Sequence, residues 1–133
     1  MKIKSVIIFT DGAAVPNPGP AGIGATIKDE QGRLINSISQ SIGRTTNNQA
    51  EYRAVIAALE NAIKLGASHV DMRSDSELLV RQINGQYRVK NASLKPLYQK
   101  VKQLQSQFAS FNIKHIPGVE NTEAHNLAGR ALD

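Results

Sequence analysis

Hydrophobic and polar positions along the chain change their period several times, and each change marks a new element. A continuous apolar run or an alternation of apolar and polar residues indicates a strand, whereas apolar residues that recur every three to four positions indicate a helix. On this basis the predicted strands cover residues 3–10, 22–29, 33–42, 69–74 and 111–116. The predicted helices cover residues 47–65, 76–85, 93–108 and a terminal segment within 123–133.

Turn and capping residues support these limits. Residues 30–32 form a short polar linker between the second and third strands, which favours a hairpin. Gly66 follows the first helix as a C-cap, Asn84-Gly85 ends the second helix, and Asn121 is suited to cap the last one.

The order of the elements, β-β-β-α-β-α-α-β-α, predicts an α/β fold. Strands joined by tight turns pair antiparallel, whereas strands separated by helices need crossover connections and pair in parallel. We therefore expect a mixed five-stranded sheet with helices on both faces.

Composition limits the class of protein. With 133 residues, of which 41% are hydrophobic, the chain is expected to form a single domain over residues 1–133. It has no cysteine, which argues against a disulfide scaffold or a thiolate metal site. The apolar run near the N-terminus is too short for a membrane span, so we expect a cytoplasmic protein without a membrane segment.

The formal net charge of +5 is unevenly distributed. No acidic residue lies between Glu77 and Glu120, and two tyrosines, Tyr87 and Tyr98, are interleaved with the basic residues of this stretch. Those residues are Arg81, Arg88, Lys90, Lys95, Lys100, Lys102 and Lys114. The stretch is either a solvated surface or a surface for a polyanion, because clustered Lys and Arg release counterions from a nucleic-acid backbone.

Acidic residues stand where the pattern predicts the carboxyl ends of strands. Asp11 follows the first strand and Asp75 the fourth, Glu51 lies near the start of the first helix, and His125 begins the last helix. Taken singly, Asp11 suits a turn, Asp75 an N-cap and Glu51 the helix dipole. Ligand sites of α/β sheets, however, form beyond the carboxyl ends of the strands, and converging carboxylates need a cation. Mg²⁺ prefers such oxygen ligands, which favours a metal-dependent phosphodiesterase.

Four segments resemble, in order and spacing, the signature blocks of type 1 ribonuclease H. They are FTDGAAVPNPGPAG (9–22), TTNNQAEYRAVIAALE (45–60), SDSELLVRQING (74–85) and HIPGVENTEAHNLAGRAL (115–132). The resemblance covers nearly the whole chain and implies the three-layer ribonuclease H-like fold. The implied activity is endonucleolytic hydrolysis of the RNA strand of an RNA–DNA hybrid, leaving 3′-hydroxyl and 5′-phosphate ends.

The resemblance also implies the roles of individual residues. Asp11, Glu51 and Asp75 match the catalytic carboxylates that bind two Mg²⁺ or Mn²⁺ ions in the presence of substrate. The residues that match contacts to the hybrid are Asn17, Thr46, Asn47, Asn48 and, near the cleaved bond, Ser76. Amide and hydroxyl groups of this kind suit contacts to phosphate and to the 2′-hydroxyl that distinguishes RNA from DNA. At Gly12 a side chain would be expected to crowd an approaching ribose.

Two features depart from the family pattern. The tryptophan-rich basic loop of many members is absent, and only residues 85–93 connect the second and third helices, so binding is expected to rely on Arg88 and Lys90. His125 stands where the family usually has a fourth aspartate. We expect it to act as a fourth catalytic metal ligand and to shift the preference toward Mn²⁺, because imidazole suits Mn²⁺ better than Mg²⁺. The alternative is that His125 faces the site only through water and leaves the second ion loosely held.

Some alternatives stay open at this point. His115 lies six residues before Asn121, where some relatives have a histidine that assists product release, although a structural or surface role fits its strand equally well. A weakly catalytic module that binds hybrid or double-stranded RNA is the main functional alternative. A nuclease domain of a reverse transcriptase is less favoured, since one domain accounts for the chain, which we expect to be a monomer.

Overall fold

A computed structural model describes residues 3–132 and contains five strands, four α-helices and a single 3₁₀ turn. The strands are β1 (Ser5–Ala14), β2 (Gly19–Lys28), β3 (Leu34–Thr45), β4 (His69–Ser74) and β5 (Ser110–His115). The helices are α1 (Asn47–Lys64), α2 (Glu77–Ile83), α3 (Lys95–Gln105) and α4 (Thr122–Arg130), and the 3₁₀ turn spans Gly118–Glu120. Residues 1, 2 and 133, which the predicted domain includes, lie outside the described residues.

The strands form one mixed sheet in the order β3-β2-β1-β4-β5. The three N-terminal strands pair antiparallel, and β4 pairs in parallel with β1 and with β5. The predicted α/β fold with a five-stranded mixed sheet is therefore confirmed. The predicted end of the first strand at residue 10 is wrong, because β1 continues to Ala14 through its pairing with β2.

Helices cover the sheet on both faces, as predicted. On one face, Val6 and Ile8 of β1 pack with Tyr52, Val55 and other residues of α1 in the main hydrophobic core. On the other face, α4 lies close to β2, since a Cβ atom at Gly24 would be 2.9 Å from the Cβ of Leu127. Helices α1 and α4, which lie on opposite faces of the sheet, thus both approach the central strands and bring side chains to the same edge.

Local signals end the elements where the sequence indicated. The end of α1 carries Gly66 with a φ of +79°, and the amide of Ala67 donates to the carbonyl of Ala62, which completes a Schellman cap. The turn between β2 and β3 contains Gly32 with a φ of +80°, and Asp29 accepts hydrogen bonds from two backbone amides of the same turn.

None of the helices in residues 3–132 has the length and apolar character needed to cross a membrane.

Candidate active site

Three carboxylates meet at the carboxyl ends of β1 and β4. One oxygen each of Asp11, Glu51 and Asp75 lies within 4.8 Å of the others. Asp11 and Glu51 are buried, with 6% and 8% of their surface exposed, and Asp75 is half-buried. Of the four residues predicted to bind metal, these three form the acidic cluster.

The sheet register explains why Asp11 and Asp75 become neighbours. The parallel pairing of β1 with β4 ends at Thr10 opposite Ser74, so the next residue of each strand is an aspartate. Asp11 then continues in β1, whereas Asp75 leaves the sheet and leads into α2. The acidic pair therefore sits where two parallel strands separate.

The local alternatives for these carboxylates do not hold in the fold. Ser76, and not Asp75, caps α2, because its hydroxyl accepts a hydrogen bond from the amide of Leu79. Glu51 lies beyond the first turn of α1, which contains no acidic residue. Neither carboxylate is thus explained by stabilisation of a helix end.

Gly12 brings strand β1 against helix α1. Its amide donates to Oε1 of Glu51 at 2.6 Å, and a Cβ atom at this position would lie 2.7 Å from the amide nitrogen of Glu51. The expectation that a side chain here would crowd a ribose is wrong in its reason, because the Cβ would point into α1. Glycine is required for this close approach of two backbones.

The electrostatics of the cluster favour a bound cation. Burial raises the pKa of Glu51 well above its ordinary value, and the hydrogen bond to Asp11 and the charges of Asp11 and Asp75 raise it further, whereas the Gly12 amide lowers it. Among residues 3–132, no Lys or Arg forms an ion pair with any of the three carboxylates. An oxygen-only donor set with uncompensated negative charge fits a divalent ion such as Mg²⁺ or Mn²⁺.

His125 contacts the cluster from α4. Its Nδ1 lies 2.9 Å from Oδ2 of Asp11, and 69% of its side chain is exposed. It reaches this position because its amide donates to the carbonyl of Asn121, which sets the first turn of α4. The fourth predicted residue is therefore adjacent to one carboxylate and open to solvent on its other side.

Asn121 is a site residue that the sequence pattern did not reveal. It stands at the N-cap position of α4, as predicted, but its side chain forms no capping hydrogen bond. Its Nδ2 instead donates to the carbonyl of Thr10 at 2.8 Å and to Oδ1 of Asp75 at 3.1 Å. Only the approach of β1 and β4 to α4 distinguishes this arrangement from an ordinary cap.

Three of the five predicted polar contact residues line a separate cleft beside α1, which we call the polar cleft. Asn17, Thr46 and Asn48 border a cavity of about 350 Å³ together with Asn91 and Ser93, which the sequence did not single out. Asn91 and Ser93 come from the loop before α3, so only the fold brings them to this cleft. With Gln49, the cleft offers six amide or hydroxyl side chains at one place.

Two amide side chains next to this cleft have fixed orientations. Oδ1 of Asn47 accepts from the amide of Ala14 at 2.6 Å, and Oδ1 of Asn17 accepts from the amide of Asn47 at 3.0 Å. Because backbone amides can only donate, both side-chain oxygens are committed to the protein. The Nδ2 groups of both residues remain as donors, with no side-chain partner in the described residues.

The basic stretch forms a second concave surface, at the connection between α2 and α3. Arg88, Lys95, Tyr87 and Tyr98 line a cavity of about 720 Å³ with Gln86 and Gln99, and we call it the basic-aromatic cavity. Lys90 is exposed nearby in sequence but does not line it. His115 is the last residue of β5, opposite Ser74, and is exposed.

Comparison with known proteins identifies the family. The family model described as "Reverse transcriptase-like" matches residues 9–131. The chain is 43% identical over 129 residues to the bifunctional protein Rv2228c of Mycobacterium tuberculosis, covering 96% of this chain and 35% of that protein. It is 38% identical over 125 residues to ribonuclease HI of Halobacterium salinarum, covering 94% of this chain and 63% of that protein.

A solved structure agrees with these relatives. LC11-RNase H1 in complex with RNA/DNA hybrid superposes with a TM-score of 0.92 at 43% identity, with 96% of each chain covered. The sheet order and the acidic cluster thus define a protein of the reverse transcriptase-like, ribonuclease H-fold class. Within that class, the chain belongs to the type 1 ribonuclease H family. It spans about a third of the length of the Mycobacterium relative and 63% of the Halobacterium one.

Proposed function

We propose that this chain is a metal-dependent endoribonuclease that hydrolyses the RNA strand of RNA–DNA hybrids to 3′-hydroxyl and 5′-phosphate ends. The observation that carries the proposal is the convergence of Asp11, Glu51 and Asp75 within 4.8 Å without a Lys or Arg partner in residues 3–132. Family membership supports it, because the Halobacterium relative is named ribonuclease HI and LC11-RNase H1 was solved with an RNA/DNA hybrid.

The acidic cluster would hold Mg²⁺ or Mn²⁺, and we propose two ions per site in the presence of substrate. Bound there, the ions would supply Lewis acidity and charge neutralisation for hydrolysis of a phosphodiester. The protein contributes a rigid donor set, since Asp11 lies inside a strand and Glu51 is fixed by the Gly12 amide at 2.6 Å. Such preorganisation lowers the cost of gathering the carboxylates around a cation.

We propose His125 as the fourth residue of the catalytic metal site. In the tautomer that we propose, Nδ1 of His125 donates to Oδ2 of Asp11, the two atoms being 2.9 Å apart. In the neutral ring the lone pair is then on Nε2, which is the atom available to bind a metal ion. Because 69% of the side chain is exposed, there is room for a metal ion beside Nε2.

The substitution His125→Asp tests this role against the aspartate usual in the family. Imidazole suits Mn²⁺ better than Mg²⁺, so the ratio of Mn²⁺-supported to Mg²⁺-supported cleavage should fall in the variant. Mn²⁺ affinity without nucleic acid, measured by calorimetry, should change in parallel. His69→Asn is the control, because His69 pairs with Ser110 at the far end of β4. Unchanged metal ratios and affinities in His125→Asp would remove the imidazole from the ligand set.

Substrate contacts are assigned to the polar cleft and the basic-aromatic cavity. The free Nδ2 donors of Asn17 and Asn47 suit phosphate oxygens or sugar hydroxyls of a hybrid. The remaining contacts that we propose come from Gly12 through its backbone and from Thr46, Asn48, Ser76, Arg88 and Lys90. In this arrangement amide groups set the register of the substrate, and cationic groups supply most of the salt-dependent affinity.

The decisive experiment is one cleavage assay on labelled hybrid, double-stranded RNA and double-stranded DNA, each with Mg²⁺, Mn²⁺ or EDTA. We expect cleavage of the hybrid with either metal and none with EDTA, with 5′-phosphate ends on the fragments. Tight binding of hybrid without cleavage under every metal condition would favour a binding module instead. Cleavage of double-stranded RNA at a similar rate would widen the substrate class. We further propose that residues 1–133 act as one monomeric domain in the cytoplasm.

A further inference from the structure

Asn121 contacts three parts of the site, two of them through its buried side chain and one through its main chain. Only 1% of the residue is exposed, although asparagine is usually a surface residue. Its Nδ2 donates both to the carbonyl of Thr10, the residue before Asp11, and to the carboxylate of Asp75. Its main-chain carbonyl accepts a hydrogen bond from the amide of His125 in α4. The residue thus contacts the main chain beside one carboxylate, the side chain of the second, and the helix that carries His125.

The orientation of this amide is determined by its partners. Both contacts of Nδ2 are to acceptors, so a flipped amide would place oxygen against oxygen. Oδ1 of Asn121 is therefore directed away from both, and it is buried without a hydrogen-bond partner in the described residues. A buried polar atom without a partner costs free energy. An apolar residue of similar shape would avoid that cost, but it would leave the Thr10 carbonyl and the Asp75 carboxylate without this donor.

Asp75 depends on Asn121 for its hydrogen bonding. In residues 3–132 the Asn121 amide is the only protein group that donates a hydrogen bond to the Asp75 carboxylate. Asp75 also lies outside the strand that precedes it, unlike Asp11, which is held on both sides by β1. Without a donor, the carboxylate would be free to turn away from the negative charge of Asp11 and Glu51.

We propose that Asn121 is a positioning residue that holds the Asp75 carboxylate in the acidic cluster and links it to the end of β1. The inference rests on the proposed function, because it assigns Asn121 a role in the assembly of the same metal site. It differs from a capping or packing role, which would affect only the free energy of unfolding. A positioning role also affects the affinity of the protein for metal in the absence of nucleic acid, and the rate of hydrolysis.

The test uses Asn121→Leu, which keeps the shape of the side chain and removes both donors, and Asn121→Ser, which retains one hydroxyl donor. Mn²⁺ affinity is measured by calorimetry without nucleic acid, and kcat and KM are measured on a labelled hybrid. Because outer partners of metal ligands contribute about 10- to 100-fold to affinity or activity, the Leu variant should bind Mn²⁺ at least about tenfold more weakly. Its kcat should fall by a similar factor and recover in part at high Mn²⁺, with KM for the hybrid nearly unchanged. The Ser variant should be intermediate.

Asn84→Ser is the matched control. Asn84 also donates from Nδ2 to a backbone carbonyl, that of Ile113 at 3.1 Å, but it has no carboxylate partner. It should lose a little stability and keep the parent metal affinity. Parent-like Mn²⁺ affinity and kcat in a folded Asn121→Leu protein would overturn the positioning role, and if that variant does not fold, the same result in Asn121→Ser would do so. If the parent itself neither binds Mn²⁺ nor cleaves hybrid, the proposed function fails instead.

Discussion

The acidic cluster and the basic-aromatic cavity are built in opposite ways. The cluster consists of buried or half-buried carboxylates on a strand, a helix and a strand end, fixed by hydrogen bonds to Gly12 and Asn121. The cavity is lined mainly by exposed side chains on a loop and on α3. Rigid elements hold the carboxylates of the cluster together despite their mutual repulsion. The cationic groups of the cavity, in contrast, remain hydrated and separate.

In the proposed function, the acidic cluster carries out the hydrolysis and the basic-aromatic cavity contributes to the affinity for the substrate. A site that gathers like charges before a cation arrives must be precise, so each residue in it should be hard to replace. A surface that attracts a polyanion sums many weak, screened contacts, so each residue should be replaceable at a modest loss. Substitutions in the two regions test that contrast.

The largest effect is expected for Asp11→Asn and Asp75→Asn. Each should lower cleavage of the hybrid by more than about 100-fold, since a direct ligand should contribute more than an outer partner. Hybrid binding should stay near the parent value, because the polar cleft and the basic-aromatic cavity are intact. Cleavage assays and equilibrium binding measure the two quantities. Asp71→Asn, on the strand β4 that precedes Asp75 but paired with Arg73, is the control and should cleave normally. Near-parental turnover in either cluster variant would contradict the metal-site proposal.

A second large effect is expected for Gly12→Ala, where a single methyl group must enter the contact between β1 and α1. The new Cβ would lie 2.7 Å from the Glu51 amide nitrogen, so the backbones must separate, at a cost of about 3 kcal/mol. Urea unfolding would measure this loss, and activity should fall with it.

Gly129→Ala is the matched control for that change. Gly129 lies within α4, and a methyl group added there would have no neighbouring atom within 4 Å, so alanine should raise the free energy of unfolding by about 0.5–1 kcal/mol. A well-folded, active Gly12→Ala protein would mean that the close contact is dispensable for the acidic cluster.

A smaller effect is expected when charge is removed from the loop before α3. The double substitution of Arg88 and Lys90 by glutamine should weaken hybrid binding several-fold and lower the slope of log K against log salt by roughly one to two. The maximal cleavage rate should be nearly unchanged, because neither side chain belongs to the acidic cluster. Lys64→Gln, at the exposed end of α1, is the control. An unchanged salt slope in the double variant would assign the polyanion contacts to other residues.

The smallest effect is a change in the pH dependence of stability in Glu51→Gln. A raised pKa means that the folded state of the parent binds more protons than the unfolded state above the ordinary value of 4.5. The metal-free parent should therefore lose stability as the pH rises from about 4.5 toward the higher pKa of folded Glu51. The variant, which keeps an acceptor for the Gly12 amide, should lack this loss and be the more stable protein at pH 7 in EDTA.

Thermal unfolding of both proteins across pH in EDTA, and again with Mg²⁺, measures this difference. Mg²⁺ should raise the melting temperature of the parent and leave that of Glu51→Gln nearly unchanged, because only the parent gains a bound ion. Parallel curves of stability against pH for the two proteins in EDTA would show that burial and the neighbouring carboxylates do not raise the pKa of Glu51.

The type and order of the elements could be predicted because they depend on local periods. The apolar pattern gave α1 to within a residue at each end, and Gly66 marked its end through a backbone conformation that glycine favours. The end of β1 was predicted too early because the pairing of residues 11–14 with β2 compensates for a polar and glycine-rich sequence. Pairing across strands is not visible in one segment alone.

The fold class, the family and the identity of the cluster carboxylates could be inferred from the amino-acid sequence alone, because Asp11 and Asp75 follow strand patterns and the signature blocks have fixed spacing. Three features became visible only in the folded chain: Gly12 allows the contact with α1, Asn121 bridges Thr10 and Asp75, and Asn91 and Ser93 line the polar cleft. The physical reason is that an asparagine or glycine has the same local preferences in either role. The partners that choose between those roles lie far away in sequence, with Asn121 and Thr10 separated by 111 positions.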